Sequence, residues 1–332
     1  MLAEAVSRFT TRAYQPGDEV RILDLFSRSF HTQRSPEHFA WKYLENPWGN
    51  RHISVTLDQN GDVVGHYAGY VVPYFHQGAD VLAHQIGDTM TSASVRHVGR
   101  GPTSILGRTA GHFYETFCRD KVAFNYGFNV SNIQKFSIRF LGSTCVEPVA
   151  YRIRISDVSP RPSVWSRIFH RVEVDSVAAV DAEWDDLFRR AAPAYGFLVR
   201  RDAAYVRWRY LRCPDVAYTI LTARKRGRLV GWAVLRVREG RLLLGDLFLD
   251  PDHQDAFEPL LRRASGMYGI PIIEGWLTAR PGWFTGWLER AGFASAPEPQ
   301  DLSLMVVPFQ MSDGVERMRR DLLYTMGDSD LF

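Results

Sequence analysis

The chain has 332 residues, 45% hydrophobic and 23% charged, with a formal net charge of +3. That length suits two domains with cores of their own, and the near-neutral balance excludes nucleic acid as an electrostatic partner. Cys118, Cys145 and Cys213 are odd in number and lack metal or redox spacing, so free thiols and a cytoplasmic location are expected.

The first residues show no basic start followed by an apolar core, so no signal peptide is expected. No apolar run approaches about 18 residues, so no membrane span is expected either. Residues 9–14 predict a first strand, and Pro16-Gly17-Asp18 turns it into a helix with Val20, Leu23, Phe26 and Phe30 on one face. Ser35-Pro36-Glu37 is a helix start: hydroxyl cap, proline at the first position, acid in the first turn. That helix runs through Trp41-Lys42-Tyr43-Leu44 and stops at Asn46-Pro47. Strands are expected at 52–57 and 63–72, hinged on Asn60-Gly61, and at 81–90. The last leads into a glycine-containing turn and a helix opening at Pro102, with Ile105, Thr109, Phe113 and Phe117 as its apolar stripe. A strand at 122–129 and a helix at 131–141, stopped by Gly142, follow.

The second half repeats the first. Arg34, Ser35, Trp41, Lys42, Tyr43, Leu44 and Pro47 align with Arg201, Asp202, Trp208, Arg209, Tyr210, Leu211 and Pro214 at a constant offset of 167 positions. Asp62-Val-Val-Gly65 matches Arg228-Leu-Val-Gly231, and Gly87-Asp88 matches Gly245-Asp246. A period this long reads as a duplicated domain rather than a solenoid. The expected division is 1–150, a linker at 151–170 containing Pro160 and Pro162, and 171–332.

The glycine turn carries the chemistry. Arg96-x-x-Gly99-x-Gly101 lets backbone approach a ligand closely, and the helix N-terminus beyond it offers unpaired N–H groups to a diphosphate. No Gly-Lys-Ser/Thr follows, which argues against an NTPase phosphate loop. This spacing resembles the acyl-CoA loop of the GNAT N-acetyltransferase superfamily. The resemblance covers most of the chain and is nearest to tandem GNAT proteins, among them sugar N-acyltransferases, on Trp41-Lys-Tyr-Leu-Glu-Asn-Pro47, Gly65-His66-Tyr67 and Gly87-Asp-Thr-Met-Thr91. It implies an α/β fold of two GNAT-like domains, each a twisted mixed sheet flanked by helices with a splayed parallel strand pair. The second copy has Asp250-Pro-Asp252-His-Gln-Asp255 where the loop should be. Three acids and no glycine would repel a diphosphate, so that copy is expected to shape the acceptor site instead.

Acyl transfer from a thioester to an amine needs a base, an oxyanion donor and an acid for the leaving thiolate. The resemblance implies acetyl-CoA or another acyl-CoA as cosubstrate, no metal, and contacts from Thr89, Met90, Thr91, Arg96, His97, Val98, Gly99, Arg100, Gly101, Thr103, Asn129 and Asn132. Asp88 is the first candidate base, with a structural carboxylate as its alternative. His84, four residues earlier on the same strand face, is the second. The position where the superfamily carries a tyrosine acid is Ile138, so Tyr126 is the remaining candidate acid. His66 and Tyr67 are candidate acceptor-binding residues, and Gly327-Asp-Ser-Asp330 is expected to be a frayed tail. The expected function is transfer of an acyl group to a primary amine, in particular that of a nucleotide-linked amino sugar, by a monomer or homodimer. An amino acid, antibiotic or peptide amine, or a non-catalytic acyl-CoA-binding role, is the alternative.

Overall fold

The computed structural model describes residues 8–155, 172–311 and 314–332; of the expected linker, 151–155 is a strand and 156–170 lies outside the described residues. The chain divides into two compact units built from interleaved segments.

The first unit comprises Met1–Pro73, Val81–Pro148 and Gln300–Glu316. Strands β1 (Thr10–Ala13), β2 (Ile53–Leu57), β3 (Val63–His76) and β4 (Ala79–Thr91) lie side by side in chain order, and β5 (Phe124–Asn129) joins β4 in parallel. Strand β6 (Thr144–Pro148) lies two places beyond β5. Between β1 and β2 run α1 (Glu19–Phe30) and α2 (Pro36–Phe39), the latter continuing into a wide π-type turn, Ala40–Leu44. The Ser35 hydroxyl caps α2, accepting from the His38 N–H at 3.0 Å. Helix α3 (Ile105–Phe113) connects β4 to β5, and α4 (Ser131–Phe140) connects β5 to β6. Gly65 of β3 lets α3 settle on the sheet: a Cβ there would stand 2.7 Å from the Ile105 side chain.

Two sequence expectations need correction. The buried face of α1 is Ile22, Leu25 and Phe26, whereas Val20 and Phe30 are 71% and 47% exposed. Spacing of three and four residues places the former set on one stripe, and Val20 falls off it. Helix α3 begins at Ile105 rather than Pro102. Gly101–Thr103 forms a separate 3₁₀ turn, and the Ser104 hydroxyl caps the helix through the Gly107 N–H at 3.1 Å.

The second unit holds Tyr74–Asp80, Val149–Pro299 and Arg317–Phe332. Its elements are β7 (Tyr151–Ile155), β8 (Val172–Val177), α5 (Ala182–Tyr195), β9 (Phe197–Val199), α6 (Ala203–Val206) with a π-type turn Arg207–Leu211, β10 (Thr219–Lys225), β11 (Arg228–Arg238) and β12 (Arg241–Leu249). Then come α7 (Phe257–Tyr268), β13 (Ile272–Trp276), α8 (Gly282–Arg290) and β14 (Ala294–Ser295). The sheet order is β14-β7-β13-β12-β11-β10-β8. Trp232, Trp276 and Trp287 are buried in it as core residues.

The expected boundaries at 150 and 171 miss an exchange of segments. Strand β15 (Ser303–Pro308) returns to the first sheet between β5 and β6, antiparallel to both. The tip of the β3–β4 hairpin belongs to the second unit, where Tyr74–His76 pairs with β9 opposite β16 (Leu322–Leu323). The tail expected to fray is instead packed: Met326, Gly327, Asp328 and Ser329 are all buried.

Candidate functional site

Strands β4 and β5 pair at Ala83 with Phe124, His84 with Asn125 and Gln85 with Tyr126, and there the ladder stops. Beyond that rung the two strands part. Gly127 stands at the fork, where a Cβ would lie 3.3 Å from the Ile86 carbonyl oxygen. Asp88, two residues past Ile86, takes the left-handed conformation at φ 51°, which costs a non-glycine residue about 1 kcal/mol or more. Beside the fork a 430 Å³ cleft is lined by Thr89, Met90, Thr91, Arg96, Ile105 and Phe136, among others.

Arg96 and Ser104, on either side of the glycine turn, line this cleft, and each glycine of the turn is sterically required. Gly99 has φ 69°, and a Cβ there would meet the Thr103 carbonyl oxygen at 2.2 Å. Gly101 has φ 53°, and its Cβ would meet the Phe140 ring at 2.7 Å. Arg96 donates from Nε to the Thr91 carbonyl at 3.2 Å, tying the loop back to β4. Arg100 and Thr103 close their own turn, with the Thr103 hydroxyl donating to the Arg100 carbonyl at 2.9 Å. His97 and Val98 lie in the same loop, outside the residues lining the cleft named above.

Asp88 is the hub of a charged cluster. Its side chain is only 8% exposed and accepts from Lys42 Nζ at 2.9 Å, from the Tyr43 hydroxyl at 2.7 Å and from Arg34 Nη1. Burial alone would raise its pKa, but the charges of Lys42 and Arg34 and the Tyr43 hydrogen bond together hold it well below the usual carboxylate range. A carboxylate held so firmly in its charged form has little basicity left for an incoming amine. The geometry therefore favours the structural alternative for Asp88. Its strained backbone is secured as well: His66 Nδ1–H donates to the Asp88 carbonyl at 2.7 Å. With Nδ1 thus protonated, burial drives the His66 pKa down to about 4 and keeps the ring neutral.

The other candidates sit deeper than expected. His84 is fully buried, one rung below the fork, in a chain of hydrogen bonds. Its Nδ1–H donates to Asn125 Oδ1 at 3.0 Å and its Nε2 accepts from His52 Nδ1 at 2.6 Å. Burial takes its pKa to about 3, so it is a scaffold histidine rather than a base. Tyr126 is 3% exposed, packed between the rings of Phe124 and Phe128. Tyr67 is buried with its hydroxyl 3.1 Å from that of Tyr114, and His66 is buried beside it, so neither offers a free face to an acceptor. Asn129 stands at the end of β5, its carbonyl accepting from Gln134 Nε2 at 2.7 Å. The side chain of Asn132 lies outside the described residues. Ile138 is 51% exposed on α4.

The residues that hold Asp88 were legible in the repeat but not recognised as a cluster. In the second unit Arg201 Nε donates to Asp246 Oδ1 at 2.8 Å and the Tyr210 hydroxyl to Oδ2 at 2.6 Å, reproducing the pairing of Arg34 and Tyr43 with Asp88. The second unit also keeps the fork, because β12 and β13 pair in parallel only at Leu242 with Ile273 and Leu243 with Glu274. Gly275 faces the Leu244 carbonyl there, as Gly127 faces that of Ile86. The phosphate side does not survive. Asp250 caps the 3₁₀ turn Pro251–Ala256 and pairs with Arg190 at 2.7 Å, while Asp255 pairs with Lys225 at 2.6 Å.

Residues 10–138 match the family described as an acetyltransferase (GNAT) domain. The chain carries a GNAT acetyltransferase domain. Solved structures share the fold over nearly the whole chain. A probable N-acyltransferase from Enterococcus faecalis superposes with a TM-score of 0.67 at 13% identity, covering 91% of this chain and 73% of that one. A GCN5-related N-acetyltransferase from Kribbella flavida gives 0.61 at 15% identity, covering 94% and 73%. The Saccharomyces cerevisiae N-myristoyltransferase with bound myristoyl-CoA gives 0.57 at 10% identity, covering 91% and 83%. No curated protein sequence matches. The family match over residues 10–138 supports an acyl-CoA-dependent N-acyltransferase, and the chain has the expected architecture of two mixed sheets flanked by helices. Among the described residues no cluster of side chains could hold a metal ion, and no helix is long and apolar enough to cross a membrane.

Proposed function

We propose that the first unit binds an acyl-CoA between the Arg96–Gly101 loop and the β4–β5 fork and transfers its acyl group to a primary amine. The observation that carries this reading is the end of the β4–β5 ladder at Gln85 and Tyr126, followed along β4 by a cleft that Thr89–Thr91 line together with Arg96 and Ser104, the residues flanking the glycine turn. A diphosphate at the turn would meet backbone N–H groups, and the pantetheine arm would run along β4 past Thr91 and Thr89 to the fork. There the β4 backbone, relieved of its β5 partner, can donate to the thioester oxygen as negative charge develops on it.

The amine nitrogen attacks the thioester carbonyl, a C–N bond forms, and collapse of the tetrahedral oxyanion breaks the C–S bond. The amine gives up a proton and the departing thiolate takes one up. Asp88, His84 and Tyr126 are all engaged in the scaffold, so in this reading water within the cleft carries that proton. Asp88 then acts by holding β4 in its left-handed bend rather than by taking a proton.

A nucleotide-linked amino sugar is the acceptor we put first. The sequence pattern that suggests it runs through Trp41, Tyr43, His66 and Tyr67, which are core residues supporting Asp88 and the sheet. Support for the sugar is therefore support from the scaffold, and the acceptor is a matter for a direct assay. Thiol release from acetyl-CoA and longer acyl-CoAs, measured against nucleotide amino sugars, amino acids and peptides, tests both levels. Turnover with the sugars alone is the expected result. Turnover with another amine would replace the acceptor, and none with any amine while acyl-CoA binds would leave a non-catalytic binder.

A further inference from the structure

The second unit keeps the charged cluster and the fork of the first, yet its cleft is filled by the chain itself. Residues 325–332 lie across β12 beside α6, held by contacts of three kinds. Arg201, fully buried, divides its guanidinium between Asp246 (Nε to Oδ1, 2.8 Å) and the incoming segment (Nη2 to Asp328 Oδ2, 2.7 Å). The Thr325 hydroxyl completes that triangle, donating to Asp246 Oδ1 at 2.9 Å.

Arg209 reads the segment's backbone. It donates to the carbonyls of Gly327 at 3.1 Å, Ser329 at 2.9 Å and Phe332 at 3.2 Å, and the Tyr218 hydroxyl adds a bond to the Phe332 oxygen at 2.7 Å. The third contact is steric. The Phe332 ring lies against the backbone of Gly245, where a Cβ would stand 1.7 Å from the ring, with the Tyr218 ring tilted by 34° and 5.1 Å away between centroids.

Any buried segment must satisfy its polar groups, but here they converge on two arginines rather than on a backbone ladder. This one is held by a carboxylate on an arginine, three carbonyls on a guanidinium fork and one aromatic ring in a glycine-floored slot, which is how a peptide ligand is recognised. The position that changed between the copies agrees. Arg34, Tyr43 and Asp88 are matched by Arg201, Tyr210 and Asp246, but Lys42 is replaced by Arg209, whose planar fork can hold several carbonyls at once.

We propose that the cleft of the second unit is a peptide-binding site whose resident ligand is residues 325–332 of the same chain. The ligand class is a short acidic peptide with a carboxylate four positions before an aromatic residue. The site's occupancy seals the fork that duplication left without a phosphate loop. This inference does not depend on the acyl acceptor of the first unit.

The test uses the full-length protein carrying Asp328→Asn and Phe332→Ala, titrated with a synthetic peptide, Thr-Met-Gly-Asp-Ser-Asp-Leu-Phe. The variant should bind one peptide and recover melting temperature as it does so. The unaltered protein, its site occupied, should bind at least about tenfold more weakly, and a peptide with Asn at its fourth position should also lose about tenfold, the loss of one charge-assisted hydrogen bond. A folded variant that binds no peptide, or equal binding by both proteins, would overturn the proposal. If the variant does not fold, amide exchange on the unaltered protein decides. A resident ligand should expose residues 325–332 in an opening of lower free energy than global unfolding, whereas exchange only through global unfolding would mark the segment as ordinary core.

Discussion

His84 accepts at Nε2 a 2.6 Å hydrogen bond from Nδ1 of His52, an arrangement that leaves both imidazoles neutral. Since His84 Nδ1–H donates to Asn125, protonating Nε2 would set two N–H groups against each other. Burial reinforces this and takes His84 to about 3 and His52 to about 4, and His66 is likewise lowered to about 4. Each folded-state value lies below the unfolded value, so the unfolded chain takes up protons first. Stability is complete above about pH 6.5 and is lost as pH falls from there toward 4, by about 1.4 kcal/mol per unit for each fully buried group. Asp328, raised to about 6 by burial, works in the opposite direction between 4 and 6, but it is one group against three. Melting temperatures should therefore drop steadily from pH 7 to pH 5, and His52→Asn with His84→Gln should flatten the profile. An unchanged melting temperature across that range would contradict the neutral histidine chain.

Replacing Asp88 with asparagine should destabilise the first unit by about 3–5 kcal/mol, because Lys42 and Arg34 would both lose the buried carboxylate charge they share. Affinity for acyl-CoA should fall with it as the left-handed bend at β4 relaxes. Thermal melts and calorimetric titration check both. A variant with wild-type stability and affinity but greatly reduced kcat would restore Asp88 as the catalytic base.

Gly101→Glu should abolish acyl-CoA binding. It drives a side chain into the Phe140 ring at a residue with φ 53°, and it sets a negative charge where the proposed diphosphate lies. Isothermal titration with acetyl-CoA is the measurement, and undiminished affinity would remove the loop from the site.

The unaltered chain should bind one acyl-CoA, because the second fork lacks a glycine turn and is occupied by residues 325–332. Two sites per chain in the same titration would mean that the acidic turn at Asp250 tolerates a diphosphate.

Gly127→Val should act at the fork itself. A branched side chain there would press on the Ile86 carbonyl, which already stands 3.3 Å from the position of a Cβ. The expected result is a loss of turnover that grows with acyl chain length, read from kcat/KM across an acyl-CoA series.

Much of this was legible in the sequence because it rests on local periodicity. The strands, α3 with its Ile105, Thr109 and Phe113 stripe, and the glycine turn all follow from spacing within one element. The repeat was legible too, since Arg34, Tyr43, Arg201 and Tyr210 recur at one offset. What those residues touch was not, because Asp88 lies 54 positions from Arg34 and nothing local records the pairing. Candidate bases were chosen by residue type and strand face, and face alone could not separate the cleft mouth from the buried rung where His84 sits. The tail was misjudged for a related reason. Gly327-Asp-Ser-Asp330 has the composition of a solvated end, and only Arg201 and Arg209, more than a hundred residues earlier, make it a bound one.

Strand β15 occupies the place between β5 and β6, although it begins 174 positions after the end of the one and 155 after the end of the other. During synthesis the first sheet therefore stays open until residue 308 has emerged, with two strand edges waiting for a partner that is made after nearly all of the second unit. A fragment cut at residue 150 would keep the glycine turn and the fork but expose those edges, and it should aggregate rather than serve as a minimal enzyme. The two halves of the sequence should therefore fail to fold when expressed one at a time.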